Sequence, residues 1–296
     1  MGVQTTMRQL ELVQEAKIFE LLAGVLDPRL EASGVLAKDG MFYVIFDNLP
    51  HIARLGAEIS PQAGGNRIIW QDRGHRSGFE DITYDPWNGR YYVLIESLPR
   101  GHGRYMAKVQ EYDDGFGYLG GAWLDFPLDR PNKGLEGLAC VRRQGETYLL
   151  GLCEGNRCRG GAEGRVPGGG RVQVFRRAPG HWERLGTIRL PETVLFEDYS
   201  GIAVDGDRIA VISQVTSALW VGTLAPSGWA VTGAGTSYAL PRDGGEIVYG
   251  TAEGVSWIAP DHVVMVSDKA KPGQGRRCRA KDQSIHIFRI PPVPGQ

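Results

Sequence analysis

Residues 78–97 read Gly-Phe-Glu-Asp-Ile-Thr-Tyr-Asp-Pro-Trp-Asn-Gly-Arg-Tyr-Tyr-Val-Leu-Ile-Glu-Ser. An acid opens a short apolar run, Asn88-Gly89 supplies the positive φ of a tight hairpin, and residues 90–96 form a second run rich in aromatic and β-branched side chains. The same text recurs along the chain. Acids at Glu31, Glu80, Glu136, Asp198 and Glu253 each precede such a run, at spacings of 49, 56, 62 and 55 residues. Turn signals follow at Asp39-Gly40, Asn88-Gly89, Gln144-Gly145, Asp205-Gly206 and Pro260-Asp261. A period of this length marks one supersecondary unit repeated around a structure.

The second runs (41–47, 90–96, 147–153, 208–214, 262–268) are almost continuously apolar, as strands buried on both faces are. Third strands are expected at 51–59, 105–112, 171–177, 218–224 and 284–290. Weaker fourth strands follow the first four repeats, in the segments NRIIWQD, GGAWLDFPL, WERLGTIRL and WAVTGAGTSYAL. The last repeat has none, and the run from Arg8 to Leu21 fills the gap if it lies beside that repeat as a strand. Its Glu-, Gln- and Ala-rich composition also allows an amphipathic helix, which would leave one sheet with three strands. The expected fold is therefore all-β: a five-bladed β-propeller of four-stranded blades, closed by the N-terminal strand, with 1–296 as a single domain. Six blades is the alternative count. Radial closure leaves only short sheet edges exposed.

The repeats EASGVLAKDGMFYVIFDN (31–48), GFEDITYDPWNGRYYVLIES (78–97), GLEGLACVRRQGETYLLGLCEG (134–155) and AEGVSWIAPDHVVMVSDK (252–269) resemble blades of the SdiA-regulated and phytase-type esterase-like propeller families. That resemblance implies a propeller and, by analogy, metal-assisted phosphate ester hydrolysis. The five-repeat pattern is also similar to that of the calcium-dependent apyrases, although the longer insertions of that family are missing here.

In a propeller the first strand of each blade lines the channel, so the five acids are expected to form a ring. Carboxylates gathered on one axis raise one another's pKa, and burial raises them further. A hard divalent cation is the simplest compensation. Calcium, which accepts six to eight oxygens in loose geometry, fits best. Glu31, Glu80, Glu136, Asp198 and Glu253 are thus the candidate ligands of Ca2+ or another divalent cation, with Ser33, Thr83, Ser200 and Ser256 close by. Asp47, Glu96, Glu154 and Asp268, at the ends of second strands, form a candidate outer shell. The competing expectation is that the acids fasten neighbouring blades through backbone hydrogen bonds.

Loops between second and third strands open on the same face, and three of them hold 12 of the 33 Lys and Arg residues. Arg100, Arg104, Arg157, Arg159, Lys269 and Arg277 are the candidate contacts to a small anionic ligand, through bidentate bonds to phosphate, sulfate or carboxylate. His75, His102, Arg73 and Arg76 are the candidate groups for acid–base or charge-stabilising work on a bound ester. The glycines among these loops also fit a solvated, mobile rim, and a rigid disc presenting loops to a protein partner is the non-catalytic alternative.

The net charge of −1 argues against a nucleic-acid partner, and no apolar stretch is long enough to span a membrane as a helix. There is no serine elbow, zinc-protease helix or phosphate-cradling loop. Four cysteines without metal-ligand spacing are expected as free thiols of a cytoplasmic protein. Cys153 and Cys158 are the pair that a secreted or periplasmic location, following loss of a leader, would oxidise.

Overall fold

The structure is a computed structural model, described here for residues 7–22, 29–71, 78–101, 103–128 and 134–292. Antiparallel meanders dominate it. Ala32–Lys38, Met41–Phe46, His51–Gly56 and Arg67–Gln71 pair in chain order. Phe79–Asp85, Arg90–Gly101, Arg104–Asp113 and Tyr118–Leu124 do the same, as do Leu135–Arg143, Glu146–Cys153, Arg171–Ala178 and His181–Arg189. A short parallel bridge, Trp123 to His181 and Leu124 to Trp182, joins these two meanders into one eight-stranded sheet.

Gly201–Asp205, Arg208–Ser213, Ala218–Leu224 and Val231–Ala239 form the next meander, and Ala252–Ala259, His262–Ser267 and Ser284–Arg289 the last. The N-terminal segment is extended rather than helical, apart from one turn at Ile18–Leu21. Glu11–Lys17 pairs antiparallel with Ser284–Arg289 and supplies the last sheet with its fourth strand. Just before it, Arg8–Gln9 adds in parallel to the outer edge of Val231–Ala239. One segment thus stitches two sheets.

The local chemistry explains the turns. Asp39-Gly40 (φ 52° and 70°) and Gln144-Gly145 (φ 50° and 83°) place two successive residues at positive φ, the twist that two-residue hairpins need. Second strands such as Met41–Phe46 and His262–Ser267 are buried almost throughout, matching their unbroken apolarity. Each fully buried Ile or Phe along them contributes about 1.5–3 kcal/mol of transfer free energy.

The core lies between sheets rather than within one. Tyr43, Ile45 and Ile52 pack on Tyr91, Val93 and Tyr112, and Leu94 and Val109 on Leu149 and Phe175. Leu150 and Val174 pack on Val211 and Trp220, and Ile212 and Leu219 on Val263 and Met265. Val264 and Val266 close the circuit against Val44 and Phe46. The first strands run in the same cycle: Ala32–Lys38 lies against Phe79–Asp85, then Leu135–Arg143, Gly201–Asp205, Ala252–Ala259 and back to Ala32–Lys38. This closed circuit of radial sheets is the arrangement of a β-propeller. Val35, Ile82, Leu138, Ile202 and Val255, one from each inner strand, line a central channel of about 440 Å³.

Candidate functional site

Inner strands share an irregularity at their heads. Pairing skips one residue between Ala32 and Gly34, Phe79 and Asp81, Leu135 and Gly137, and Ala252 and Gly254. The bulged residues are Ser33, Glu80, Glu136 and Glu253; Ser200, just ahead of Gly201, takes this place in the remaining inner strand. Such bulges re-aim side chains at the rim of a barrel or next to a site. The equivalence expected from the sequence therefore shifts: Glu80, Glu136 and Glu253 are mates, but their partners are Ser33 and Ser200. Glu31 and Asp198 stand two residues earlier, at the lip.

The hydroxyls serve as latches. Ser33 and Ser200 donate to the carbonyls of Phe79 and Ala252 on the next inner strand (2.5 and 2.9 Å). Thr83 and Ser256 accept the N–H groups of Cys140 and Ala37 (3.0 and 3.1 Å). These serine and threonine neighbours of the acids thus fasten adjacent inner strands. Glycine after the bulge lets the strands touch: a Cβ on Gly201 would lie 2.2 Å from the Glu253 carbonyl oxygen, and one on Gly254 2.7 Å from Val35 N. Asp81 replaces that glycine in its own strand. Its buried carboxylate accepts from Ile82 N and Leu138 N, both at 2.8 Å, and burial pushes its pKa well up.

At the lip the acids of first-strand heads meet those of second-strand ends. Burial, then the charges of Asp268, Glu136 and Asp47, holds Glu253 well above the ordinary carboxylate range. Asp268 is pushed up to about 6 by burial, with Glu31 and Asp47 adding to the rise. Burial and Glu31 raise Asp47, and burial with Glu154 raises Asp198. Glu253, Glu136, Asp268, Asp47 and Glu31 are therefore near neighbours at this mouth, as are Asp198 and Glu154. Cations come close at two points. Lys269 Nζ lies 3.9 Å from Glu31, and Lys271 donates to Gln214 Oε1 (2.9 Å), whose amide donates to Glu253 (3.2 Å). Gln214 ends its second strand where other repeats carry an acid, which is the sequence signal that could have identified it.

Beside the mouth a pocket of about 350 Å³ is lined by Glu154, Glu197 and Asp198 together with Arg159, Arg165 and Lys271. Its wall is the glycine-rich loop 154–170, and this loop is tied down. Cys153 and Cys158 form a disulfide, correcting the expectation of free thiols there; Cys140 and Cys278 are free. Fully buried Asn156 donates to the carbonyls of Gly164 and Phe196 (2.9 and 3.0 Å) and accepts from Gly169 N and the Tyr199 hydroxyl (2.8 and 3.0 Å). The loop is thus bonded to the body of the protein at both ends.

The other candidate cations scatter. Arg100 stacks on Trp123 at 4.7 Å, on an outer strand, and Arg277 pairs with Asp243 and Glu246 (3.2 and 3.4 Å). Arg104 is exposed at the start of its strand, and Arg157 lies against Gly169. Only Arg159 and Lys269 of the six approach the mouth or its pocket. Arg73, His75, Arg76 and His102 lie outside the described residues.

No protein-family model matches the chain, and no curated protein matches it in sequence. Solved structures do match in shape. Glutaminyl cyclase of Myxococcus xanthus superposes with a TM-score of 0.50 at 12% identity, over 95% of this chain and 96% of that one. The PQQ-bound aldose sugar dehydrogenase of Streptomyces coelicolor gives 0.48 at 11% over 93% and 98%, and the WD40 repeats of RRP9 give 0.47 at 10% over 96% and 100%. The first of these shows that the arrangement of radial sheets is a fold shared with a solved protein over nearly its whole length. Identity this low speaks to fold alone, and nothing in these matches singles out the SdiA-regulated or phytase-type families.

Proposed function

We propose that the chain is a single five-bladed propeller whose acidic mouth takes up a divalent cation and whose adjoining pocket holds a small ligand bearing an anionic group. Supporting the count, the eight-stranded sheet is two meanders joined by only two paired positions, and five inner strands follow one another in a cycle. The observation that carries the binding reading is the elevation of Glu253, Asp268 and Asp47, by burial first and then by the charges of neighbouring acids, Glu31 and Glu136 among them. A cation relieves that cost, and hard oxygen donors of this kind favour calcium. Among the described residues no three His, Cys, Asp or Glu side chains already converge as ligands, so binding requires the carboxylates to draw in. In the enzymatic form of this reading, the ion would supply the activated water for hydrolysis of a phosphate ester.

Thermal unfolding with and without calcium tests the proposal. A calcium-dependent rise in Tm that disappears in Glu253→Gln/Asp268→Asn supports it, and no rise with calcium, magnesium or manganese overturns it. A panel of phosphate esters, assayed with and without metal, separates an enzyme from a binding module. The alternative is a non-catalytic scaffold with a structural mouth. The Lys271–Gln214–Glu253 chain favours it, because one acid already has compensation from the protein.

A further inference from the structure

The charges lining the pocket beside the mouth are balanced and come from different segments. The acids Glu197 and Asp198 precede the Gly201–Asp205 strand, and Glu154 follows the Glu146–Cys153 strand. Two of the cations, Arg159 and Arg165, follow the disulfide-bounded loop and the short helix Gly161–Gly164 in turn, while Lys271 comes from the segment after the His262–Ser267 strand. A ligand with one negative charge would meet three carboxylates here, and a simple cation would meet three basic side chains. A molecule carrying both charges, separated by a short spacer, complements both sets of groups. The volume of about 350 Å³ suits a molecule of that size.

The pocket is also pre-built. Asn156 uses its amide on both sides to bond Gly164 in the wall and Gly169, Phe196 and Tyr199 behind it. Gly155 and Gly164 pack so closely on the Arg159 carbonyl that a Cβ at either would lie 2.0 Å from its oxygen. Groups fixed in this way lose little freedom when a ligand arrives, which favours affinity. Asp198 is fixed as well, accepting from the Ser213 hydroxyl and Val215 N.

We infer that this pocket binds a small zwitterion, with its ammonium toward Asp198 and Glu154 and its carboxylate toward Arg165 and Lys271. The inference rests on the preceding reading only in that the ligand carries an anionic group; it needs no metal. The probes are glycine, β-alanine and γ-aminobutyrate, which separate the two charges by increasing distances, with acetate and methylamine as single-charge controls. Calorimetric titration of the whole protein in a chelating buffer is expected to show at least one amino acid binding tenfold or more tightly than either control. Arg165→Gln and Asp198→Asn are each expected to weaken that binding about tenfold with circular dichroism unchanged. Arg165 is exposed, so its variant carries the test should Asp198→Asn fail to fold. Amino acids that bind no better than acetate overturn the inference. Amino-acid binding that appears only with calcium would overturn it too, while leaving the earlier reading intact.

Discussion

Asp81 on one inner strand accepts the backbone N–H of Leu138 on the next at 2.8 Å, from a position where most of its counterparts are glycine. The carboxylate fills the space between strands that elsewhere close by direct backbone contact. It also accepts from Ile82 N, so both oxygens have a donor. Asp81→Asn keeps the shape but replaces one acceptor with an NH2 group facing an N–H. The expected cost is about 1–3 kcal/mol, that of a buried donor left unpaired. Urea unfolding measures it, and a variant as stable as the parent refutes the role.

Acidity of the mouth sets a second expectation. Asp268 has its folded pKa raised from 3.8 to about 6. Its contribution to stability is therefore complete below about pH 3.8 and is lost as pH rises through about 6. His286 works the other way, because burial lowers its pKa. The difference between the parent and Asp268→Asn isolates the carboxylate. The variant should gain Tm relative to the parent as pH rises from about 4 to about 6, and a pH-independent difference contradicts this.

Glu15 joins the N-terminal strand to the last sheet. It accepts from Lys281, lies 3.2 Å from His286 Nδ1 and accepts from the Tyr249 hydroxyl at 3.2 Å. His286 Nε2 in turn lies 2.9 Å from Ser267 Oγ. Although burial opposes it, the contacts to His286 and Lys281 bring the Glu15 pKa down to about 2. A depressed carboxylate stabilises above its unfolded pKa, about 4.5, and loses that contribution as pH falls toward 2. Glu15→Gln should cost about 1–3 kcal/mol at neutral pH by removing a charged acceptor. Denaturant titrations should show the gap narrowing below about pH 4.5; a gap that is constant with pH excludes the charge as its source.

Reducing the Cys153–Cys158 bond, which closes a loop of separation 5, should lower stability by about 2 kcal/mol from loop entropy alone. Scanning calorimetry with and without reductant, compared with Cys153→Ser/Cys158→Ser, checks the figure. Identical traces would mean that Asn156 holds the loop by itself.

Much of the fold was legible because its signals are local. Asp39-Gly40 and Gln144-Gly145 announce hairpins by their own backbone preferences, and runs such as residues 262–268 announce strands buried on both faces. The need of the last repeat for an outer strand pointed to the N-terminal segment. Register was harder to read. A bulge adds one residue without altering the apolar text, so Glu31 and Asp198 aligned with Glu80 although Ser33 and Ser200 are its true mates. The small residue or aspartate after each bulge, at Gly34, Asp81, Gly137, Gly201 and Gly254, was the surer marker. Arg100 and Arg277 show a second limit. Sequence places a cation in a loop, but whether it faces a site, a tryptophan or an acid is set by tertiary packing.

The pairing of Glu11 with Arg289 spans 278 positions. During synthesis the segment 11–17 emerges with no edge to join, and its partner leaves the ribosome almost a whole chain later. Native closure must therefore wait until residues 284–289 have been made, and until 11–17 docks there the edge of Ser284–Arg289 is open to strands from other molecules.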